Sequence, residues 1–147
     1  MKRISRKRRP VLPRRWHGFI SAWVPALLWA GLIFHLSSLP ADRLPRLWTY
    51  EHGDIILHGL EYLVFAALLY RAFAIARPAL GAGRLGLAAW GLSAVYALSD
   101  EFHQSFVRGR EACGSDLIAD LFGAAIGVLL LRELFKRYER IRGPRQA

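Results

Sequence analysis

A run of 26 residues without a charged side chain, from Trp16 to Ala41, constrains this chain more than any other feature. A membrane-spanning helix needs about 20 consecutive apolar residues, so the run is long enough to cross a bilayer once. We predict a first transmembrane helix at about Phe19–Leu36. A secretory signal peptide also begins with basic residues, but its apolar region is usually about 7–15 residues long, and no clear cleavage site follows here.

The composition and the distribution of charge also favour a membrane protein. Hydrophobic residues make up 54% of the chain, above the roughly 45–50% typical of soluble domains. The net charge of +10 is concentrated in two terminal blocks, an arrangement that suits anionic headgroups better than the phosphates of a nucleic acid. We therefore predict the lipid bilayer as a partner, and no nucleic acid. The single cysteine excludes an intrachain disulfide.

Three further helices are expected downstream, each interrupted by acidic residues. We place them at about 54–76, from about 85 through at least 101, and at about 116–131 with a polar extension through 138. With the N-terminus in the cytoplasm, the cytoplasmic segments would hold 17 of the 21 Lys and Arg residues, as the positive-inside rule requires. The sequence thus predicts an all-α fold: an integral membrane four-helix bundle with both termini cytoplasmic.

The predicted organisation has three parts. Residues 1–15 form a basic cytoplasmic arm, residues 16–138 a four-helix transmembrane domain, and residues 139–147 a basic cytoplasmic tail.

Polar side chains concentrate where the second, third and fourth helices meet the outer leaflet. Each charge at the centre of a membrane costs about 2.5–3.5 kcal/mol, so we expect these groups to face one another rather than lipid. Helical spacing places them on one stripe per helix. The candidate polar cluster comprises Asp54, His58, Glu61, Tyr62, Asp100, Glu101, Gln104, Arg108, Arg110, Asp116 and Asp120.

Several members have expected roles. Asp54, one turn before His58, would orient its imidazole as a general base or a metal ligand. Arg110 would reach back to Glu101 or Asp116 as a bidentate clamp. An alternative for the whole cluster is a buried hydrogen-bond network that fixes the helix register.

Helix packing and metal binding are predicted separately. Gly123 and Gly127 form a G-x-x-x-G pair that lets another backbone approach closely. A zinc site of His58, His103 and Cys113 lacks recognised ligand spacing. We therefore predict no metal site and no cofactor.

Two segments resemble the VanZ-like family of small bacterial membrane proteins. DIILHGLEYLVF, at 54–65, is similar to the family pattern D-K-x-x-H-F-x-x-Y. SDEFHQSFVRGREACGSDLIADLFGAAIG, at 99–127, is similar to D-E-x-x-Q-x-F-x-P-G-R followed by D-x-x-x-N-x-x-G-x-x-x-G. The matching positions are Asp54, His58, Tyr62, Asp100, Glu101, Gln104, Phe106, Gly109, Arg110, Asp116, Gly123 and Gly127.

The chain also departs from the family pattern. Ile55 stands in place of Lys, Gly59 in place of Phe, Arg108 in place of Pro and Asp120 in place of Asn. The loss of a Lys and the gain of Asp120 make this site more acidic than the family pattern.

The resemblance implies a multi-pass protein of the bacterial cytoplasmic (inner) membrane. The family takes its name from a protein that lowers sensitivity to the glycopeptide antibiotic teicoplanin, so a role in antibiotic resistance at the cell envelope is implied. The expected ligand is a lipid-linked cell-wall precursor or a lipoglycopeptide, bound near the outer leaflet.

Two other functions stay open, and no established catalytic motif decides whether the protein is an enzyme. One is an intramembrane hydrolase or transferase that uses His58 with Glu101 or Glu61 as acid–base groups on a lipid-linked substrate. The other is a proton-coupled carrier. Four helices argue against a pore within one chain, an objection that a homo-oligomer would remove.

Overall fold

A computed structural model of the chain describes residues 14–44, 53–110 and 113–142. This part of the chain consists of four α-helices and one 3₁₀ turn, and it contains no strand. The helices are α1 (Arg14–Ser37), α2 (Gly53–Ala76), α3 (Ala82–Gln104) and α4 (Gly114–Arg142), with the 3₁₀ turn at Ala41–Arg43. The predicted all-α chain with four helices is confirmed.

The helix boundaries differ from the prediction at the ends of three helices. α4 continues to Arg142, four residues beyond the expected end at 138. α1 begins five residues before the expected Phe19, and α3 begins three residues before the expected Leu85. Of the predicted basic arm and tail, residues 1–13 and 143–147 lie outside the described residues.

α2 lies at the centre of the bundle and contacts each of the other three helices. Its buried side chains form a core with small and aromatic residues of its neighbours. Trp23 of α1 packs edge-on against Phe73 of α2, and Tyr70 of α2 packs edge-on against Phe135 of α4. Both ring pairs pack near the C-terminal end of α2, which lies away from the polar cluster.

A proline in the first helix explains one contact between α1 and α2. Pro25 has no backbone N–H, so the carbonyl oxygen of Ser21, four residues earlier, loses its helical hydrogen bond. Arg71 of α2 donates a hydrogen bond to that oxygen at 3.1 Å. The side chain of α2 therefore satisfies the acceptor that the proline leaves free.

Two glycines bring α4 against the backbone of α2. Gly123 faces the backbone of Gly59, and Gly127 faces the backbone of Leu63, at distances that leave no room for a Cβ atom. The predicted G-x-x-x-G pair thus lies on the face of α4 that meets α2. This close approach also sets which α2 side chains are met by the α4 side chains one turn earlier.

The loop after α3 folds back over the end of α1. Gly109 adopts a positive φ of 76°, a conformation that favours glycine, and it lies beside Ala41 of the 3₁₀ turn. The backbone N–H of Ala41 donates to the carbonyl of Arg108 at 3.4 Å. The two connections at this end of the bundle therefore contact each other.

The described residues bury several polar side chains beside an apolar core and leave many large apolar side chains exposed. Buried polar side chains include His58, Ser93, Asp100, Glu101, Gln104, Asp116 and Asp120. Large apolar side chains are exposed on all four helices, among them Leu28, Leu60, Leu87, Val95, Phe102 and Phe122. By length and apolar composition, α1 over Gly18–Ser37 and α2 over Gly53–Ala76 are able to cross a membrane. α3 and α4 are long enough but less apolar.

Candidate functional site

The polar side chains gather at one end of the bundle. This end is formed by the last turn of α1, the first two turns of α2, the last two turns of α3 and the first two turns of α4. It is the end at which the sequence analysis placed the candidate cluster.

A buried imidazole–carboxylate pair joins α2 and α4. His58 Nδ1 lies 3.2 Å from Asp120 Oδ1, and the two side chains are 3% and 1% exposed. The other carboxylate oxygen, Asp120 Oδ2, is buried without a hydrogen-bond partner among the described residues. The close approach at Gly123, one turn after Asp120, places this carboxylate beside α2.

The expected partner of His58 is not the observed one. Asp54 instead accepts a hydrogen bond from the backbone N–H of Ile55 at 2.9 Å, as a residue in the first turn of α2. The imidazole is therefore oriented by Asp120, which lies 62 residues away in the chain.

Glu101 of α3 completes a set of three side chains. One ligand atom from each of His58, Glu101 and Asp120 can be chosen so that all three lie within 4.8 Å of one another. Glu101 Oε2 accepts a hydrogen bond from the backbone N–H of Cys113 at 3.0 Å, whereas Oε1 is buried without a partner among the described residues. The carboxylate is thus held through one oxygen and presents the other. We call His58, Glu101 and Asp120 the triad.

A second hydrogen-bonded group lies beside the triad and ties α1 to α3. Asp100 Oδ1 accepts a hydrogen bond from Ser37 Oγ at 2.6 Å, and Asp100 Oδ2 accepts one from Gln104 Nε2 at 3.1 Å. Both oxygens of Asp100 therefore have a hydrogen-bond partner, whereas each triad carboxylate has one oxygen without a partner among the described residues. This group fits the structural alternative, a network that fixes helix register.

Further charged groups surround the triad. Asp116 and Glu61 lie within electrostatic range of His58, and Arg110 lies within range of Glu61. Arg110 forms no ion pair with Glu101 or Asp116 within the described part of the chain, and its Nε atom is buried without a partner. The predicted bidentate clamp is therefore not formed.

Other candidate residues lie outside the triad. Arg108 is 87% exposed and pairs with the exposed Asp42 at 3.6 Å. Tyr62 is buried, and its hydroxyl has no partner among the described residues. His103 contacts Ser38 at 3.0 Å and stacks on Phe34, away from the triad.

Two contributors to the site escaped the sequence analysis. Ser37 ends α1 and supplies the hydroxyl that Asp100 binds, and the backbone N–H of Cys113 holds Glu101. A serine at a helix end usually bonds to its own backbone, as Ser37 also does with the Ile33 carbonyl at 2.9 Å, so nothing in its spacing indicated a partner on α3.

The triad offers one imidazole and two carboxylates in a site that excludes most water. Such a set can hold a cation, orient an imidazole as a base, or accept hydrogen bonds from a bound hydroxyl or amine. Elsewhere in the bundle, a groove of about 360 Å³ lies between the start of α3 and the second half of α4. It is lined mainly by apolar residues, so it has none of this chemistry.

Comparison with known proteins gives one result. A family model described as VanZ/LLP1 matches residues 19–136, about four-fifths of the chain, and the match contains all members of the triad. No curated protein and no solved structure gives a significant match to the chain.

Proposed function

Because the chain belongs to the VanZ/LLP1 family, we propose that it is a multi-pass protein of the bacterial cytoplasmic membrane that binds an amphiphilic or lipid-linked envelope ligand. The ligand would be a lipid-linked cell-wall precursor or a lipoglycopeptide, and binding would alter sensitivity to such antibiotics. The observation that carries this proposal is the triad: buried carboxylates from two helices keep unpartnered oxygens at the end of the bundle beneath the connecting loops.

The burial of acids and the exposure of large apolar side chains support four membrane spans rather than two. α3 and α4 are less apolar than α1 and α2 in part because they carry Asp100, Glu101, Gln104, Asp116 and Asp120, and all five are buried. The outward faces of the same helices carry exposed leucine, valine, isoleucine and phenylalanine. A helix that turns its acids inward and its apolar residues outward suits lipid even when its average composition is modest.

The loops above the triad suit an anionic headgroup. Arg110 is partly buried with an unpartnered Nε atom, and Arg108 is exposed nearby in the same loop. Guanidinium groups bind phosphate or carboxylate, and the triad carboxylates accept hydrogen bonds from amines or hydroxyls. A ligand with a lipid tail would reach this region from the outer leaflet.

A topology experiment uses the one native cysteine. Cys113 is exposed immediately before α4, so we expect a membrane-impermeant maleimide to label it in intact spheroplasts as completely as after permeabilisation. As the matched control, Arg137→Cys in a Cys113→Ser background, near the cytoplasmic end of α4, should be labelled only after permeabilisation. Protection of Cys113 in intact spheroplasts would contradict the proposed orientation.

Binding is tested with site variants in cells and with purified protein. Glu101→Gln, His58→Ala and Arg110→Ala should each abolish protection against teicoplanin and weaken binding of a lipid-linked precursor in nanodiscs at least about tenfold, since each removes a charge-assisted contact. Glu133→Gln, an exposed acid at the other end of the bundle, is the matched control and should retain both. The proposal fails if folded variants, judged by helix content and monodispersity, protect and bind as the native protein does.

One observation favours an acid–base hydrolase or transferase as the second candidate. The hydrogen bond from Asp120 orients the His58 imidazole, and Glu101 lies beside it, as in a general base with a second proton-transfer group. Purified protein would then release product from a lipid-linked substrate, and His58→Ala would stop that release. Binding without turnover would favour the first candidate.

A further inference from the structure

We propose that the triad of His58, Glu101 and Asp120 binds a divalent transition-metal ion, with Zn²⁺ as the best match. The inference rests on the proposed function only where it gives the ion a role toward a bound ligand. No metal site was predicted from the sequence because these three ligands come from three helices and have no recognised spacing along the chain.

The separations within the triad fit a shared ion. Ligands bound at about 2.0 Å in a tetrahedral zinc site lie about 3.3 Å apart. His58 Nδ1 and Asp120 Oδ1 are already 3.2 Å apart, a separation that suits either a shared proton or two ligands on one ion. Glu101 lies within 4.8 Å of both, so a side-chain rotation that moves its carboxylate by at most about 1.5 Å closes the set.

Unpartnered oxygens provide an independent indication of a ligand. Glu101 Oε1 and Asp120 Oδ2 are buried atoms without a hydrogen-bond partner among the described residues, although a buried carboxylate oxygen is costly to leave unsatisfied. Both belong to the triad. The neighbouring Asp100, which is not part of the triad, has both oxygens satisfied.

The charge around the triad points to a cation rather than an anion in this position. His58 lies within electrostatic range of Asp116, Asp120 and Glu61, and Glu101 interacts with the same aspartates. Arg110 is the one arginine that interacts with Glu61 among the described contacts, and it forms no ion pair there. A divalent ion would neutralise the carboxylates of Glu101 and Asp120, whose negative charges would otherwise be buried close together.

The donor set narrows the class of ion. One imidazole nitrogen and two carboxylate oxygens suit Zn²⁺ or Mn²⁺, whereas Ca²⁺ and Mg²⁺ prefer oxygen ligands alone. The backbone N–H of Cys113 already holds the second oxygen of Glu101, as outer contacts of metal ligands commonly do. Three protein ligands would leave a coordination position that a phosphate oxygen or a water can occupy.

The experiment counts zinc in purified protein without a histidine tag. A Cys113→Ser background removes the only thiol. The protein is stripped of metal with EDTA, reloaded with Zn²⁺ and separated from free metal. Its zinc content is then measured by inductively coupled plasma mass spectrometry. We expect about one Zn²⁺ per chain, and at least about tenfold weaker affinity in Glu101→Gln, Asp120→Asn and His58→Gln, because each substitution removes a ligand.

Two exposed acids serve as matched controls. Asp42→Asn and Glu133→Gln make the same chemical changes outside the triad and should bind Zn²⁺ as tightly as the background protein. If the triad variants fail to fold, Co²⁺ is added to the background protein, and we expect visible absorption bands of a low-symmetry site that added Zn²⁺ removes.

The outcomes separate this inference from the proposed function. Absence of stoichiometric Zn²⁺ in the folded background protein, equal zinc in the triad variants, or a Co²⁺ spectrum of the free aqueous ion would overturn the metal site. If that protein still binds the lipid-linked precursor, the proposed function stands without the ion. If the protein binds zinc but not the lipid-linked precursor, the metal site stands and the proposed function fails.

Discussion

Replacement of Gly127 by alanine is expected to destabilise the bundle strongly. A Cβ atom at Gly127 would collide with the backbone of Leu63, and a backbone cannot rotate aside as a side chain can. Overpacking of a tight core costs about 1–3 kcal/mol, and a collision with backbone should reach the upper end of that range. The measurement is the temperature at which the detergent-purified protein loses its monodisperse elution peak.

Gly91→Ala is the matched control for this prediction. Gly91 also lies within a helix, but a Cβ there meets nothing within 4 Å. Alanine is better than glycine inside a helix by about 0.5–1 kcal/mol, so this variant should be as stable as the native protein or slightly more so. Equal stability of the two variants would show that α2 and α4 do not pack as described.

Replacement of Asp120 by alanine is the second large effect that we expect. The change leaves His58 buried beside Glu101 without the hydrogen bond that orients it. Loss of one partner of a buried hydrogen-bonded pair leaves the other unsatisfied and should cost about 2–3 kcal/mol. The midpoint of thermal unfolding is measured in EDTA, so that any metal contribution is removed.

The exposed pair at the same end of the bundle provides the control. Asp42 and Arg108 are 65% and 87% exposed and lie 3.6 Å apart. A pair in water contributes less than about 1 kcal/mol, so Asp42→Ala should leave the midpoint nearly unchanged. If the two alanine variants lost the same stability, the His58–Asp120 contact would not be the buried pair that we describe.

The order and type of the helices could be predicted from local properties of the chain. The charge-free stretch at Trp16–Ala41, the breaks around Pro78 and Gly81, and the apolar run after Asp116 each depend on residues close in sequence. Helix boundaries were less accurate because fraying and capping at the ends respond to neighbours in space.

The partners within the site could not be predicted in the same way. Helical spacing puts Asp54 one turn from His58 on α2, but the hydrogen bond that forms is with Asp120. The position of Asp120 depends on the register in which α4 packs along α2. Arg110 was expected to clamp an acid, yet the backbone N–H of Cys113 takes that place on Glu101. The first outcome depends on the glycine contacts between α2 and α4, and the second on the path of the loop between α3 and α4.

The sequence by itself determined that this chain forms four helices, that its acids face inward at one end, and that two glycines bring helices together. It did so because the periodicity of apolar residues, the free-energy cost of a charge in a membrane and the size of a side chain are local properties. Only the tertiary structure decided which acids share the imidazole and which oxygens remain unpartnered. Those pairings involve side chains from three helices, and packing over the whole bundle sets the positions of these helices along the bundle axis.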